Sequence, residues 1–363
     1  MDSLDRRRKM KILYVTHRFP PDLGGIEKVA FNQANEMVKR GHEVCVITTT
    51  SNADLIGESW ENGVRVIRCK AFSPNEAYFF SPVLGKTVSE ISENFDILHA
   101  HNYHAFPAFH GFRNRNDRPF VLSCHYHRGS HKLFRNLLHF FYRKIAKKMV
   151  EGSDLVSCVS SSEMKMLELD FTPRRIMINY NGIEVKPPER RISESNRICY
   201  VGRLERYKNI DLVINTLTEL QDISLDIVGT GADRDRLVKL VERKDLGQRV
   251  SFHGHVSEER KSEIISSSKC LVTLSEFESF GITLLESAML SVPIIASRIP
   301  PFVEISEKIG GRITLVEPNN SDEVVRALVN NFRNKEIVKF DSLEEFTWER
   351  HVDRLERSYK ELL

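Results

Sequence analysis

The stretch Cys270-Leu-Val-Thr-Leu274, followed by Glu278-Ser-Phe-Gly-Ile-Thr-Leu-Leu-Glu286-Ser-Ala-Met289, indicates what kind of fold this chain adopts. The apolar run predicts a short buried strand, Phe280-Gly281 a turn, and the residues after it an amphipathic helix. Amides and the positive dipole end at the start of that helix suit an anion such as a phosphate. The carboxylates of Glu278 and Glu286 suit the hydroxyl groups of a sugar or ribose. The stretch therefore predicts a strand–loop–helix unit that binds a polyhydroxylated phosphate ester.

Alternation of strand and helix signals continues through the rest of the chain. Strands are predicted at residues 11–16, 44–49, 64–69, 97–100, 120–124, 155–159 and 176–178, and again at 198–201, 225–228, 250–252, 270–274, 293–296 and 313–316. A polar, proline-bearing linker at 185–196 separates the two series. The pattern predicts the α/β class, with two Rossmann-like doubly wound domains facing across a ligand-binding cleft.

The predicted domains are an N-terminal domain over residues 1–185, a C-terminal domain over 186–345, and a C-terminal helix over 346–363. That helix is amphipathic and can lie across either domain, including by packing back on the N-terminal one. At 363 residues, the chain is long enough for two domains with cores of their own.

Composition indicates a soluble protein. The chain is 41% apolar and 28% charged, and its net charge of +3 combines a basic first half with an acidic second half. Its six cysteines are scattered and form no CxxC pair, which favours free thiols in a reducing compartment. Because no apolar run reaches transmembrane length and no signal-peptide pattern is present, we expect a cytoplasmic protein.

A second strand-to-loop signal is Tyr200-Val-Gly202-Arg203-Leu-Glu-Arg-Tyr-Lys208. Arg203 and Lys208 are predicted to follow the carboxyl end of a parallel strand. Two cations at that place suit a diphosphate, since arginine offers forked donors and lysine a point charge. A solvated surface pair is the alternative for any such Arg/Lys pair taken alone. The Glu278–Glu286 element in the same domain favours the diphosphate.

Glycines and histidines mark the ends of strands in the first domain. Gly24-Gly25 lies between the first strand and the first helix, where backbone amides can approach a phosphate or sugar. The GxGxxG spacing of a dinucleotide site is absent, which argues against an oxidoreductase. The groups His99-Ala-His101-Asn102-Tyr-His104 and Cys124-His125-Tyr-His127 lack zinc-like spacing. No metal site is therefore expected, and these histidines are predicted either to make structural hydrogen bonds or to line the cleft.

The ordered set of motifs resembles the retaining glycosyltransferases of family 4, which have the GT-B fold. The matching residues run through nearly the whole chain: Gly24-Gly25, His101, His125, Val159-Ser160, Asn181-Gly182-Ile183, Val201-Gly202-Arg203 with Lys208, Val228-Gly229-Thr-Gly231, and Glu278 with Glu286. The resemblance implies transfer of a hexose-type sugar from a nucleotide sugar such as UDP-glucose, UDP-GlcNAc or GDP-mannose. The acceptor would be the hydroxyl of a glycan or of a lipid-linked glycan precursor.

The same resemblance implies roles for individual residues. His125 would lie beside the reacting sugar and Glu278 would bind it, which makes these two the catalytic candidates. The donor would be bound by Gly24, Gly25, Arg203, Lys208, His253, Gly254, Val256, Phe280, Gly281, Ile282 and Glu286. His101 and Asn102 are the acceptor-side candidates. Cations and a helix end would stabilise the departing nucleoside diphosphate, so neither a metal nor another cofactor is expected.

Some positions depart from the family pattern, and two other functions remain open. Pro300-Pro301 stands where the family has a glycine pair, so any backbone contact there is lost or remodelled. A nucleotide-sugar 2-epimerase shares the fold but would isomerise the donor without an acceptor. A non-catalytic nucleotide-sugar-binding module would bind the donor and not turn it over. The intact Glu278, Glu286, Arg203 and Lys208 favour an enzyme.

Residues 118–150 contain no acidic side chain. Cations that include Lys132, Arg135, Lys144 and Lys147 alternate with apolar residues, which predicts an amphipathic basic helix or helix pair. One interpretation is a peripheral contact with an anionic membrane surface that brings a lipid-linked acceptor to the enzyme. The other is an ordinary helix with its cations in water. No motif typical of nucleic-acid recognition accompanies the charge, so no nucleic-acid partner is expected.

Overall fold

A computed structural model describes residues 9–21, 24–73, 79–126, 133–184, 196–334 and 338–363, without the side chains of 133–141. The chain divides into two compact units. The first comprises Met1–Gly182 together with Trp348–Leu363, and the second comprises Ile183–Thr347. The last helix therefore belongs to the first unit, although it follows the second in sequence.

Before the chain enters the second unit, the first unit contains the following strands and helices: β1 (Lys11–Val15), α1 (Gly25–Lys39), β2 (Glu43–Thr50), β3 (Gly57–Glu61), β4 (Val64–Lys70), α2 (Pro82–Ile91), β5 (Ile97–His101), α3 (Phe106–Arg113), β6 (Phe120–Ser123), α4 (Leu133–Gly152), β7 (Leu155–Cys158), α5 (Ser161–Glu168) and β8 (Ile176–Ile178). The second unit contains β9 (Arg197–Val201), α6 (Ile210–Thr216), β10 (Ser224–Val228), α7 (Arg234–Arg243), β11 (Val250–Gly254), α8 (Glu258–Ser266), β12 (Cys270–Thr273), α9 (Ile282–Met289), β13 (Ile294–Ser297), α10 (Pro300–Ile309), β14 (Ile313–Val316) and α11 (Ser321–Arg333). Helix α12 (Trp348–Leu362) completes the first unit.

The sheet of the first unit is buried on both faces. Its strand order is β3-β4-β2-β1-β5-β6-β7-β8, and every pairing is parallel except that of β3 with β4. Successive residues of β1 serve different cores, with Leu13 in one cluster and Tyr14 in the other, because strand side chains alternate between faces. Val352 and Leu355 of α12 pack in the same cluster as Tyr14. This arrangement is typical of parallel sheets, which are covered on both sides.

The second unit has a six-stranded, wholly parallel sheet in the order β11-β10-β9-β12-β13-β14. Its core joins strand residues such as Ile198 and Val272 to helix residues such as Val213 and Leu237. Together with the first unit, this sheet confirms the predicted fold class of two Rossmann-like α/β units.

Each sheet has one point where the strand order reverses. In the first unit the reversal lies between β1 and β5, and in the second it lies between β9 and β12. Loops at the carboxyl ends of the two strands diverge there and leave a crevice, which is where open α/β sheets bind their ligands. The topology therefore draws attention to the loops after β1, β5, β9 and β12.

The described structure adds one strand to those predicted from the sequence. Strand β3 was not predicted, because Gly57–Glu61 is polar and mostly exposed at the sheet edge. Within the basic segment 118–150, Phe120–Ser123 is a buried strand, as predicted, and helix α4 begins at Leu133. Residues 127–132 lie outside the described residues. No described helix is long and apolar enough to cross a membrane.

Candidate functional site

Two loops meet at the strand reversal of the second unit. Asn209 Nδ2, at the end of the loop after β9, donates to the Leu274 carbonyl beyond β12 at 3.1 Å. The Glu276 amide donates to the Tyr207 carbonyl at 2.9 Å. The Tyr207 and Phe277 rings stack with centroids 4.2 Å apart. These three contacts hold the loop that carries Lys208 against the loop that carries Glu278.

Lys208 and Glu278 form an ion pair between these loops. The Lys208 ammonium donates to Glu278 Oε1, which also accepts from Ser275 Oγ at 3.1 Å. The Lys208 side chain is 10% exposed and that of Glu278 is 25% exposed. Removing either charge would leave the other poorly solvated and unpaired. The structure thus brings together two predicted site residues that lie 70 positions apart in the chain.

Arg203 belongs to the same loop but is far more accessible. Its side chain is exposed, and Nη2 donates to the Tyr207 hydroxyl at 3.2 Å. Lys208 Nζ in turn lies 5.1 Å from the centre of the Tyr207 ring. Tyr207 therefore links the two predicted phosphate-binding cations, and neither Tyr207 nor Phe277 was assigned a role from the sequence.

Helix α9 begins just after Glu278, at Ile282, and Gly281 is its N-cap residue. The residue has a φ of 115°, and a Cβ atom there would lie 2.7 Å from the Phe302 ring, so glycine is required twice over. No side chain caps the helix start. The first amides of the helix, those of Ile282 and Thr283, therefore have no capping side chain as acceptor. Uncapped amides at a helix start are the groups that bind anions. Phe280, just before the turn, is buried.

The remaining predicted donor residues have different partners. Glu286 in α9 pairs with Lys261 of α8, with Nζ 2.8 Å from Oε1. His253 Nε2 lies 2.7 Å from Asp226 Oδ1, a buried carboxylate on the neighbouring strand that also pairs with Arg197. Gly254 ends β11, and Val256 follows in the loop. The His253 ring is thus already engaged within the sheet, a contact that the sequence did not predict.

Several polar side chains lie close together at the strand reversal of the first unit. His17, after β1, lies 3.3 Å from Glu27 Oε1 of α1, and Asn102 Nδ2, after β5, lies 3.3 Å from His17 Nδ1. His101 stacks with His125, which follows β6, at a centroid distance of 6.0 Å. The structure therefore brings the predicted residues His101, Asn102 and His125 together. It adds His17 and Glu27, which were not selected from the sequence.

The side chain of Glu27 lies against the start of helix α1, where Gly24 and Gly25 are found. A Cβ atom on Gly24 would lie 2.2 Å from Glu27 Oε2, so the carboxylate folds back onto the helix start. Burial acts to raise the pKa of Glu27, but His17 and the Glu27 amide more than offset it, and the pKa lies below its ordinary value. A carboxylate three residues after the glycine is the sequence signal that points to this arrangement.

His101 and His125 are buried as neutral rings. Burial lowers the pKa of His125 to about 4 and holds that of His101 well below its usual value. Among the residues that the structure describes, neither ring nitrogen of His101 has a hydrogen-bond partner. His125 Nε2 is likewise buried without one. Buried, unpaired ring nitrogens are costly unless they serve a ligand, because polar atoms prefer to be hydrogen-bonded.

These pKa values predict a loss of stability in mild acid. His125 binds a proton near pH 6.5 in the unfolded chain but only near pH 4 in the folded one, so stability falls as pH drops through this window. We expect His125 alone to lower the free energy of unfolding by about 2 kcal/mol between pH 7 and pH 5. Urea unfolding at the two pH values measures this.

Replacing His125 by Gln should make that pH dependence shallower. The matched control is His255→Gln, which changes an exposed histidine of the second unit and should leave the dependence unchanged. Identical slopes for the wild type and His125→Gln would contradict the expected titration.

No group of three metal-ligating side chains is formed by the His, Cys, Asp and Glu residues of the described ranges. All six cysteines are buried and free. The polar groups available at the two reversal points are therefore cations, carboxylates, amides and neutral imidazoles.

Comparisons with known proteins all indicate glycosyltransferases. The model of the family "Glycosyltransferase Family 4" matches residues 23–186, and that of "Glycosyl transferases group 1" matches residues 183–339. An uncharacterised glycosyltransferase of Methanocaldococcus jannaschii is 26% identical, with 97% of this chain and 98% of the relative covered.

Solved structures agree on the fold. Sucrose-phosphate synthase from Thermosynechococcus elongatus superposes with a TM-score of 0.78 at 19% identity, covering 98% of this chain and 99% of that one. Anabaena HepE, solved with UDP, superposes with a TM-score of 0.75 at 17% identity, covering 97% of this chain and all of HepE. The two family models together span most of the chain, both units have the fold of these enzymes, and the chain belongs to the group 1, family 4 glycosyltransferases.

Proposed function

We propose that this glycosyltransferase moves a hexose-type sugar from a nucleoside-diphosphate sugar to an acceptor hydroxyl, with retention of the anomeric configuration. The observation that carries the proposal is the Lys208–Glu278 pair at the strand reversal of the second unit. A cation for the diphosphate and a carboxylate for the sugar are thereby held side by side, next to the uncapped start of α9.

In this proposal the second unit binds the donor. Lys208 and Arg203 compensate the diphosphate charge, and the amides of α9 beside Gly281 donate hydrogen bonds to its phosphate oxygens. Glu278 accepts hydrogen bonds from the hydroxyls of the transferred sugar, and Glu286 from those of the ribose. Gly254 and Val256 lie beside the base. These cations and dipoles stabilise the departing diphosphate without a metal ion.

The donor is of the UDP-glucose, UDP-GlcNAc or GDP-mannose type. HepE has been solved with UDP and with UDP-glucose. A relative from Bacillus anthracis is described as an N-acetyl-alpha-D-glucosaminyl L-malate synthase. The ligands of HepE support a nucleotide sugar, and the two names favour different sugars.

Acceptor recognition is assigned to the first unit. His101, Asn102 and His125 form one cluster there, and both ring nitrogens of His101 and Nε2 of His125 are buried without a hydrogen-bond partner among the described residues. Their neutral rings can donate or accept a hydrogen bond without adding charge. His125 is proposed to contact the reacting groups. His101 and Asn102 would bind the acceptor, a glycan or a lipid-linked precursor.

The experiment that tests the function is a panel of nucleotide sugars. Binding is measured first, then hydrolysis without acceptor, and the anomer of the released sugar is followed by NMR. Hydrolysis that survives EDTA and yields the retained anomer supports the proposal. Isomerisation of the donor without hydrolysis would identify a 2-epimerase, and binding without turnover would identify a binding module.

Helix α4 is proposed to bring the enzyme to the cytoplasmic face of an anionic membrane. Tyr142, Ala146, Met149 and Val150 are buried in the core, which leaves the exposed Lys144, Lys147 and Lys148 on the opposite face. Lys132 and the side chain of Arg135 lie outside the described residues. Cations near an anionic bilayer each contribute about 1 kcal/mol, and salt screens the attraction.

We therefore expect salt-sensitive sedimentation with vesicles of phosphatidylcholine and phosphatidylglycerol, and much less with phosphatidylcholine alone. Replacing Lys144, Lys147 and Lys148 by Ser should reduce binding severalfold. The matched control replaces Lys239, Arg243 and Lys244, three exposed cations at the end of α7. Equal sedimentation of the two triple variants would favour an ordinary solvated helix face.

A further inference from the structure

Lys261 is a nearly buried cation that none of the sequence motifs includes. It lies on α8, and its side chain is 14% exposed. Its ammonium lies 2.8 Å from Glu286 Oε1 and 2.8 Å from Glu258 Oε2. Burial acts to lower the pKa of Lys261, but Glu286 and Glu258 outweigh it, so the pKa lies above its ordinary value. Lys261 is therefore a cation at neutral pH.

Of its two partners, only Glu286 is itself enclosed. The Glu286 side chain is 16% exposed, whereas that of Glu258 is 63% exposed. Glu258 can exchange its contact with Lys261 for water, but Glu286 cannot do so without turning. The contact with Lys261 thus holds the Glu286 carboxylate in one orientation and balances its charge.

We propose that Lys261 is a positioning residue that enables Glu286 to distinguish ribonucleotides from deoxyribonucleotides. The inference rests on the proposed contact between Glu286 and the ribose. Two vicinal hydroxyls can share one carboxylate only if both oxygens face them, and that geometry requires a fixed side chain. Without Lys261, the Glu286 carboxylate would no longer be held in this orientation, and the two hydroxyls would lose a positioned acceptor.

Affinity alone would not separate this role from a general electrostatic one. Removing a cation weakens the binding of any diphosphate, whatever its sugar. The ratio of ribonucleotide to deoxyribonucleotide affinity removes that shared contribution, because both ligands carry the same phosphates and base. A change in this ratio therefore reports the ribose contact specifically.

The test is calorimetric titration of UDP, GDP and their 2′-deoxy and 3′-deoxy counterparts. The wild type should prefer the better ribonucleotide over its deoxy forms by about tenfold, the effect of losing a hydrogen bond to a charged acceptor. Lys261→Met should reduce the preference to about twofold, and Lys261→Arg should restore part of it. Glu258→Gln and Lys239→Met are the controls, and both should keep the wild-type ratio.

Two negative outcomes are distinguishable. An undiminished ratio in Lys261→Met, beside a discriminating wild type, overturns the role of Lys261 and leaves the proposed function intact. If the wild type binds ribonucleotides and deoxyribonucleotides equally well, Glu286 does not contact the ribose, and the role proposed for Lys261 is wrong as well. If Lys261→Met fails to fold, the same affinity ratio is measured on Lys261→Gln, whose side chain removes the charge but keeps a hydrogen-bond donor for Glu258.

Discussion

Replacing Glu278 by Gln is expected to reduce sugar transfer about a hundredfold or more while nucleoside-diphosphate affinity stays the same or rises. The carboxylate would be lost as an acceptor for the transferred sugar. At the same time Lys208, which donates to Glu278 in the structure, would be released to the diphosphate. Glutamine has nearly the same size, so the loops after β9 and β12 should stay together.

Initial transfer rates and titration with the cognate diphosphate measure the two effects separately. The matched control is Glu276→Gln, an exposed carboxylate two positions earlier in the same loop, which should keep both properties. A Glu278→Gln variant that transfers sugar at the wild-type rate would remove Glu278 from the catalytic site. A large loss of nucleotide affinity instead would mean that Glu278 contacts the nucleotide.

The second large effect is expected for Lys208→Met, which should weaken diphosphate binding about tenfold to a hundredfold. Two causes act in the same direction: a charge-assisted contact is lost, and Glu278 is left as an uncompensated anion beside the phosphates. Arg203→Met should weaken diphosphate binding less, because the Arg203 side chain is exposed and solvent screens its interaction with the phosphates.

A double variant separates the two causes. Combining Lys208→Met with Glu278→Gln should recover part of the lost affinity, since the repulsive carboxylate is gone. Lys239→Met, which removes an exposed cation of α7, is the control for net charge. If Lys208→Met binds the diphosphate as tightly as the wild type does, the phosphate site lies elsewhere. If the double variant binds no better than Lys208→Met, Glu278 is not the source of the repulsion.

Local patterns in the sequence were sufficient for the fold class and for most of the strands. Apolar runs such as Cys270–Thr273 and the turn at Phe280-Gly281 report their own conformation, because a buried parallel strand is apolar on both faces and a helix start needs a permissive residue. Strand β3 escaped prediction because an exposed edge strand has no apolar signature. The family resemblance added the expected roles of Glu278, Glu286, Arg203 and Lys208, without their contacts.

The partners of these residues were decided only by tertiary structure. Lys208 meets Glu278 because β9 and β12 become neighbours at the strand reversal, and Glu286 meets Lys261 because α8 packs beside α9. The cluster of His17, Glu27 and Asn102 arises in the same way from β1 and β5. Sequence periodicity describes one element at a time, whereas an ion pair or a shifted pKa depends on which elements are adjacent and how deeply they are buried.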